Sequence, residues 1–333
     1  MATRLAVYPE TSSQARRPPR SVRLSITDRC DLACLYCRAQ GGERHVQDRL
    51  DLAAWRTVIQ GLLKAGIRRV RITGGEPLLH RDLVRLVGEI AASGAEDLAL
   101  TTNGTRLCDL APALREAGLR RLNVSLDTLD PQRFAALTRG GRLDRVLQGI
   151  DRAVTVGFDE IKLNTVVLRG TNDDEVERIT RFAWDRGLVP RFLELMPVGE
   201  GAKFRDRLVS GQEVRERLAQ LLTTEPARGE ENRGPAVYVR GRHDPKQRVG
   251  FITGATHAFC KACDRLRVTC DGAIHPCLAM PTGLSIGKAA RSGDVIGVVT
   301  SVRKAWEQRP DGETWRGCSE DIAQQVSLRH VGG

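Results

Sequence analysis

The sequence predicts an α/β protein: an incomplete (β/α)6 TIM-type barrel with a smaller cysteine-bearing region at its C-terminal end. Three observations lead to this prediction. Short β-branched runs alternate with helical patterns, a distinctive polar cluster accompanies each run, and the pattern changes after about residue 240. Strands that alternate with helices pair in parallel through right-handed crossovers, which occurs in α/β barrels and in doubly wound sheets.

Six strands are predicted from the β-branched runs. They occupy residues 21–27, 68–73, 97–102, 120–126, 160–167 and 190–196. Apolar residues recur at helical spacing between them, most clearly in residues 51–66, 81–92 and 172–187. Gly66 and Gly187 end the first and third of these segments and suit a left-handed helix cap, and acidic residues open the third.

The polar clusters decide between a barrel and a doubly wound sheet. A cysteine loop follows the first strand, GGEP (74–77) the second, TTNG (101–104) the third and SLD the fourth. Lys162 and Asn164 lie on the fifth strand, and LELMPVG closes the sixth. Polar groups at the carboxyl ends of several strands are typical of a barrel mouth, whereas a doubly wound sheet concentrates its site at one switch point. Six repeats rather than eight predict an incomplete barrel.

The chain is divided into three predicted segments: a flexible basic arm (1–20), the barrel (21–240), and a C-terminal region with a second cysteine set and a Gly-Gly tail (241–333). An organellar transit peptide is the alternative for the arm, which lacks the apolar stretch of a secretory signal. No run of 18 apolar residues is present to span a membrane. A cytoplasmic protein is expected.

The net charge is +11, from 52 Lys and Arg against 41 Asp and Glu. Such a balance favours an anionic partner, which could be nucleic acid, a nucleotide or a phosphate ester. Aromatic residues make up only 4% of the chain. Few stacking platforms are therefore available for single-stranded nucleic acid, and nucleic acid is not the expected partner.

Six of the nine cysteines fall into two sets. Cys30, Cys34 and Cys37 form C-x3-C-x2-C, a spacing expected by chance about 0.007 times in such a chain. Three cysteines can hold three irons of a four-iron cluster and leave the fourth iron open to a small molecule. A structural zinc site prefers four protein ligands, so zinc with a distant fourth ligand is the alternative.

The second set is C-x2-C-x13-C, formed by Cys260, Cys263 and Cys277. A second four-iron cluster is one interpretation. A four-cysteine zinc ribbon that also includes Cys270 is the other.

The first cysteine motif, with Tyr36 before its last cysteine, resembles the radical S-adenosylmethionine (SAM) superfamily, as does GGEP. More narrowly, the chain resembles the GTP 3′,8-cyclases that begin molybdenum cofactor synthesis. The resemblance runs from about residue 20 to the end and rests on RLSITDRCDLACLYC, RITGGEPLLHRDL, TTNG, NVSLDTLDP, FLELMPVG, FCKACDRLRVTCDG and the terminal Gly332-Gly333.

The resemblance implies two [4Fe-4S] clusters and SAM as cofactors, with one cluster on each cysteine set. SAM would bind the open iron of the first cluster, and Glu76 would accept a hydrogen bond from its amino group. The remaining residues implied to position SAM are Tyr36, Gly75, Ser125 and Met196. The open iron of the second cluster would meet guanine.

GTP needs a binding site, and no phosphate loop of the G-x4-G-K-[S/T] type is present; GLSIGKA (283–289) is one residue short and lacks the hydroxyl. Arg265 and Arg267 alternate with Leu266, so on a strand they face the same side. The resemblance implies a substrate site formed by Arg23, Arg71, Thr101, Lys162, Arg191, Arg265 and Arg267. It also implies that the tail glycines, Gly332 and Gly333, enter the active site.

Two positions depart from the family pattern. Cys270 stands where a small residue is usual, and Asp264 stands where Asn is common and adds a negative charge near the predicted site.

The implied activity is a lyase reaction that converts GTP to (8S)-3′,8-cyclo-7,8-dihydroguanosine 5′-triphosphate. The implied partners are GTP, an electron donor such as flavodoxin or ferredoxin, and the downstream cyclic pyranopterin monophosphate synthase. A monomer or homodimer is expected, with no membrane partner. Two alternatives stay open: a peptide-modifying radical SAM enzyme with an auxiliary cluster, and a basic zinc protein that binds nucleic acid.

Overall fold

The computed structural model describes residues 18–39, 45–226, 234–257, 259–278, 280–310 and 327–332. Most of the predicted N-terminal arm lies outside the described residues, as do Cys318 and Gly333.

All six predicted strands are present; the third and the fifth have the expected ends, and the ends of the other four differ by at most two residues from the expected ones. They are β1 (Ser21–Ser25), β2 (Arg69–Thr73), β3 (Asp97–Thr102), β4 (Arg121–Ser125), β5 (Glu160–Val167) and β6 (Val189–Glu194).

Six helices alternate with these strands, and three of them are the helices predicted from apolar spacing. They are α1 (Leu52–Lys64), α2 (Leu83–Ala92), α3 (Leu107–Glu116), α4 (Pro131–Thr138), α5 (Leu143–Val156) and α6 (Val176–Trp184). Gly66 and Gly187 have φ of +100° and +68°, as expected for left-handed residues just beyond α1 and α6. None of the described helices has the length and apolar composition that a membrane span requires.

Among the described residues, the rest of the chain adds six strands of two to five residues and four helices. The strands are β7 (Leu222–Pro226), β8 (Val237–Gly241), β9 (Arg248–Ile252), β10 (Arg265–Val268), β11 (Ala273–His275) and β12 (Leu284–Ser285). The helices are α7 (Gly211–Arg217), α8 (Gly287–Arg291), α9 (Val295–Glu307) and α10 (Leu328–Val331). Three 3₁₀ segments are Pro77–Leu79, Gly199–Arg207 and Cys260–Ala262.

One sheet contains all twelve described strands, in the order β12-β11-β10-β1-β2-β3-β4-β5-β6-β9-β8-β7. Strands β1 to β6 are parallel, and β10 and β9 continue the parallel pairing at the β1 and β6 edges. The end strands β12 and β7 belong to opposite edges, so the sheet stays open and the predicted incomplete barrel is confirmed. The C-terminal region extends this sheet at both edges. Its expected boundary at residue 240 stays a prediction.

The two faces of the barrel strands differ in chemistry. Val22 and Leu24 of β1 and Val70 of β2 are buried against the outer helices. The alternate residues, such as Arg23 and Arg71, are polar and face the inside of the barrel. Because side chains alternate along a strand, this pattern gives an apolar outer layer and a charged interior.

Helices α1 and α9 approach closely at Gly61. A β-carbon at this position would lie 2.4 Å from Cγ1 and 2.6 Å from Cβ of Val298. Such contacts cannot be relieved by rotating the valine, because its Cβ is fixed by the backbone. Gly61 therefore sets the distance between these two helices.

We expect Gly61→Ala to lower the free energy of unfolding by about 1–3 kcal/mol, because it overpacks this contact. Gly88→Ala in α2 is the matched control, since a β-carbon there meets only the Ala117 carbonyl oxygen at 3.9 Å. The control should raise the free energy of unfolding by about 0.5–1 kcal/mol. Denaturant unfolding of both variants measures the difference, and equal stabilisation by both would contradict the packing argument.

Candidate active site

The first cysteine set lies on the loop that follows β1. The amides of Cys37 and Arg38 both donate to the Cys34 carbonyl at 3.0 Å, which closes a tight turn around the motif. Burial raises the pKa of Cys30 to about 12, and the charges of Glu76, Asp31 and Cys37 add to the effect. The pKa of Cys34 is also raised, by burial and by Cys37, Asp127 and Cys30. The fold thus brings the three thiols into one partly buried pocket.

Three neighbouring thiols cannot all ionise in such a pocket unless a cation compensates them. A four-iron cluster does this and places each thiolate on a separate iron. No three His, Cys, Asp or Glu side chains of the described residues are already grouped as ligands of a single ion. Three thiols on one loop are the ligand set that a four-iron cluster with one open iron needs.

The glycine pair of GGEP holds the cysteine loop through its backbone. The Gly75 amide donates to the Thr27 carbonyl at 2.6 Å, and the Glu76 amide donates to the Arg29 carbonyl at 2.7 Å. A β-carbon at Gly75 would lie 2.3 Å from that Arg29 oxygen, and one at Gly74 would lie 2.5 Å from the Thr27 oxygen. Only glycine permits the loop after β2 to approach the residues just before Cys30 so closely.

Glu76 ties the ends of β2 and β3 together. Its Oε1 accepts from the Leu78 amide (2.9 Å) and the Thr102 hydroxyl (2.7 Å), and its Oε2 accepts from the Asn103 amide (2.7 Å). Burial nevertheless raises the pKa of Glu76 to about 7. Its expected contact with the SAM amino group stays a prediction, and the structure adds a role in joining two strand ends.

The loop after β3 contacts the first cysteine set directly. Asn103 Nδ2 donates to Asp31 Oδ1 at 2.8 Å and to Cys30 Sγ at 3.9 Å, and the Thr105 hydroxyl donates to Asp31 Oδ2 at 2.5 Å. Asp31 was not among the predicted site residues. Its position directly after Cys30 was the only signal for it in the sequence.

The end of β4 supplies a further anchor. The Tyr36 hydroxyl donates to Asp127 Oδ2 at 2.5 Å, and Asp127 Oδ1 accepts from the Val166 amide at 2.9 Å. Burial raises the pKa of Asp127 to about 6. Tyr36 is thereby held by a carboxylate that the SLD motif contained but that sequence analysis did not assign.

The other two residues expected at the SAM site also lie at the barrel mouth. Ser125 is the last residue of β4 and pairs in register with Asn164 of β5. Met196 follows β6 and packs beside Val198, Leu278 and other members of a small apolar cluster. Contact of either residue with SAM stays a prediction.

The interior of the barrel brings together the six basic side chains expected to bind substrate. Burial lowers the pKa of Arg23, and repulsion from Arg267, Arg265, Arg191 and Arg71 lowers it further. These five arginines therefore share one region. Arg267 is only 8% exposed, and burial with the charge of Arg265 lowers its pKa to about 10.

Lys162, the sixth, is 5% exposed and stands in register with Asn123 of β4. Arg191 donates to Asn123 Oδ1 at 2.6 Å and to Asn164 Oδ1 at 2.9 Å. Thr101 accepts a hydrogen bond from Asn123 Nδ2 at 3.2 Å. The amide of Asn123 thus links the predicted substrate residues on β3 and β6.

An ion-pair belt crosses the floor of the barrel, where the strands begin. It consists of Asp97, Arg121, Glu160 and Arg248. Arg71 joins it through Asp97 at 2.5 Å, and Lys162 joins it through Glu160 at 3.1 Å. The two carboxylates of the belt are outnumbered by the cationic side chains around them. The space above the belt, which we call the chamber, is lined by Arg23, Arg71, Lys162, Arg191, Arg265 and Arg267, and it therefore favours an anion.

The fold also brings the three cysteines of the second set together. Burial raises the pKa of Cys260, as do the charges of Cys277 and Cys263, which places the three thiols together. Burial opposes ionisation of Cys263, but Arg265 and Arg309 outweigh it and lower its pKa to about 7. Arg265 Nε donates to Cys263 Sγ at 3.4 Å, and Arg309 donates to the carbonyls of Cys260 (2.8 Å) and Cys263.

Cys270 is placed apart from this set. The charges that act on its buried thiol are those of Asp28, Asp271 and Arg49, and burial is the main cause that raises its pKa to about 12. The zinc-ribbon alternative required Cys270 as a fourth ligand, and this arrangement does not support it. Asp264, the other departure from the family pattern, forms an ion pair with Arg69.

The C-terminal tail enters the chamber. Arg267 donates to the carbonyls of Val331 (3.1 Å) and Gly332, and Arg23 donates to the Gly332 carbonyl at 3.4 Å. Gly332 has φ of +76°, and a β-carbon there would lie 2.4 Å from Cγ2 of Thr73. The structure thus places Gly332 beside predicted substrate residues. Gly333 is outside the described residues.

Two family descriptions match the chain: Radical SAM superfamily over residues 24–183, and Molybdenum Cofactor Synthesis C over residues 189–315. The chain is 39% identical over 330 residues to the GTP 3′,8-cyclase of Paracoccus denitrificans, an alignment that covers 95% of this chain and 94% of that protein. It is 44% identical over 272 residues to GTP 3′,8-cyclase 1 of Pseudomonas aeruginosa, which covers 80% of this chain and 81% of that protein. The chain belongs to the GTP 3′,8-cyclase family. The resemblance read from the motifs is confirmed.

A solved structure supports the fold of this family member. Streptococcus suis SuiB bound to the precursor peptide SuiA aligns with a TM-score of 0.65 at 16% identity, covering 94% of this chain and 71% of that one. At this identity the likeness shows the radical SAM fold alone. The roles of individual site residues remain predictions.

Gly75→Ala tests how the family's GGEP segment holds the first cysteine loop. The added methyl group would displace the Arg29 carbonyl. We expect the variant to lose about 1–3 kcal/mol of stability and to retain less iron on the first cysteine set. Gly88→Ala is again the control. Iron analysis and an electron paramagnetic resonance spectrum of the reduced first cluster measure the effect. An unchanged iron content would contradict it.

Proposed function

We propose that this protein is a GTP 3′,8-cyclase, which forms (8S)-3′,8-cyclo-7,8-dihydroguanosine 5′-triphosphate in the first step of molybdenum cofactor biosynthesis. The observation that carries the proposal is the cationic chamber formed by five arginines and Lys162, in which Arg265 and Arg267 also lie beside the second cysteine set. Burial and neighbouring arginines lower the pKa of Arg23 and of Arg267, and a ligand with several negative charges would compensate this concentration of positive charge. The triphosphate of GTP is such a ligand.

The cysteines would hold the two clusters, Cys30, Cys34 and Cys37 at one side and Cys260, Cys263 and Cys277 at the other. When bound, the first cluster and SAM would supply the radical chemistry by which the 3′ hydrogen of GTP is removed and C3′ bonds to C8 of guanine. The protein's own part is to orient GTP and SAM and to exclude water from them.

Several side chains are proposed to orient the two small molecules. Guanidinium groups such as Arg267 and Arg191 grip phosphate oxygens in bidentate fashion, and they do so more strongly where water is scarce. Tyr36, fixed by Asp127, would give the SAM pocket a rigid wall. Gly332, seated on Thr73, would close the chamber from the side of the tail.

The reaction would be of the lyase class, and the electron would come from a flavodoxin or ferredoxin. The product would pass to the cyclic pyranopterin monophosphate synthase, and the enzyme would act in the cytoplasm as a monomer or homodimer. The use of cysteines as cluster ligands supports a reducing compartment.

Anaerobic incubation with GTP, SAM and a strong reductant tests the proposal. We expect 5′-deoxyadenosine and a cyclised nucleotide to form together, on a chain that holds roughly eight irons. Deoxyadenosine without consumption of GTP would favour the peptide-modifying alternative. Zinc in place of iron, with salt-dependent binding of nucleic acid, would favour the zinc-protein alternative.

Arg267→Ala tests the substrate site. Loss of one charge-assisted contact to phosphate costs about 2–3 kcal/mol, so kcat/KM for GTP should fall roughly 30- to 150-fold. The iron of the first cluster should be unchanged. Arg303→Ala on the exposed surface of α9 is the control and should leave the kinetics unaltered. Unchanged kinetics in Arg267→Ala would remove this residue from the site.

A further inference from the structure

Glu194 is a buried carboxylate that the predicted site did not include. It is the last residue of β6 and is only 4% exposed. Its Oε1 accepts from the Gly211 amide (2.8 Å) and the Thr256 hydroxyl (2.6 Å), and its Oε2 accepts from the amides of Ala255 (2.9 Å) and Thr256 (2.8 Å). Four donors thus compensate one carboxylate, which is the condition under which a charge can stay buried.

Three of those four donors belong to a single turn, residues 253–257, which is closed by the His257 amide donating to the Thr253 carbonyl at 2.9 Å. The turn leads directly to Phe259 and Cys260. Glu194 therefore fixes the segment that enters the second cysteine set.

The turn also packs against the residues around that set. A β-carbon at Gly254 would contact the Phe259 ring at 3.5 Å. The Arg265 guanidinium lies 5.0 Å from the centroid of the same ring and donates to Cys263 Sγ. The turn that Glu194 holds therefore lies close to Phe259, and Phe259 contacts Arg265, which donates to Cys263.

We propose that Glu194 is the positioning residue for the second cysteine set. Its carboxylate orders the 253–257 turn so that Cys260 and Cys263 are arranged to receive the second cluster. Arg309 holds the same two residues by their carbonyls from the side of α9. The inference rests on the proposed function, because it assumes that a cluster binds there.

Glu194→Ala leaves three backbone amides without their acceptor, and Glu194→Gln can satisfy only part of the set. After identical anaerobic reconstitution, we expect iron to fall from roughly eight per chain to roughly four in Glu194→Ala, with an intermediate value in Glu194→Gln. In the metal-free protein, alkylation of Cys260 and Cys263 should become several-fold faster, while Cys30 and Cys34 react as before.

Glu175→Ala is the matched control. Glu175 is also 4% exposed; it accepts from the Thr128 hydroxyl and the Leu129 amide and pairs with Arg133 and Arg178, and none of these partners belongs to the second cysteine set or to the 253–257 turn. It should lose stability yet keep both clusters. Full iron and unchanged alkylation in Glu194→Ala would overturn the inference, as would equal loss of both clusters in the two alanine variants. A wild-type chain that holds only one cluster would instead count against the proposed function.

Discussion

The structure depends on one constraint: a barrel interior that carries buried positive charge. Arg23 is surrounded by four other arginines, and burial together with repulsion from them lowers its pKa. Buried positive charge is tolerated only where negative charge or hydrogen-bond acceptors compensate it. The ion-pair belt does so at the floor, and the carbonyls of Val331 and Gly332 do so at Arg267. The remaining imbalance is what suits the chamber to a polyanionic substrate.

A second consequence of the parallel sheet is that successive strand ends meet around the first cysteine loop. The glycines after β2, Asn103 after β3 and Asp127 after β4 all contact it. Catalytic groups at the mouth of a barrel are therefore supported by hydrogen bonds from several loops at once. The motifs that are separate in the sequence thus come together in the fold and hold the first cysteine loop.

The open edges of the sheet explain how the second cysteine set reaches the chamber. An unclosed barrel leaves unpaired backbone groups on its outermost strands. Here β10 pairs with β1, which sets Arg267 beside Arg23, and β9 pairs with β6, which directs the following turn toward Glu194. The C-terminal segment both covers the edges and delivers the cysteines.

The β-branched runs and their alternation with helical patterns were sufficient to locate six strands, because both are local properties of the sequence. The cysteine spacing and the alternation of Arg265 and Arg267 are also local and could be predicted from the sequence. The sequence did not predict the partners of Asp31, Asp127 and Glu194. It also did not predict the separation of Cys270 from the second set or the pairing of β10 with β1. Each depends on contacts between residues far apart in the sequence, which only packing of the whole sheet brings within hydrogen-bonding distance.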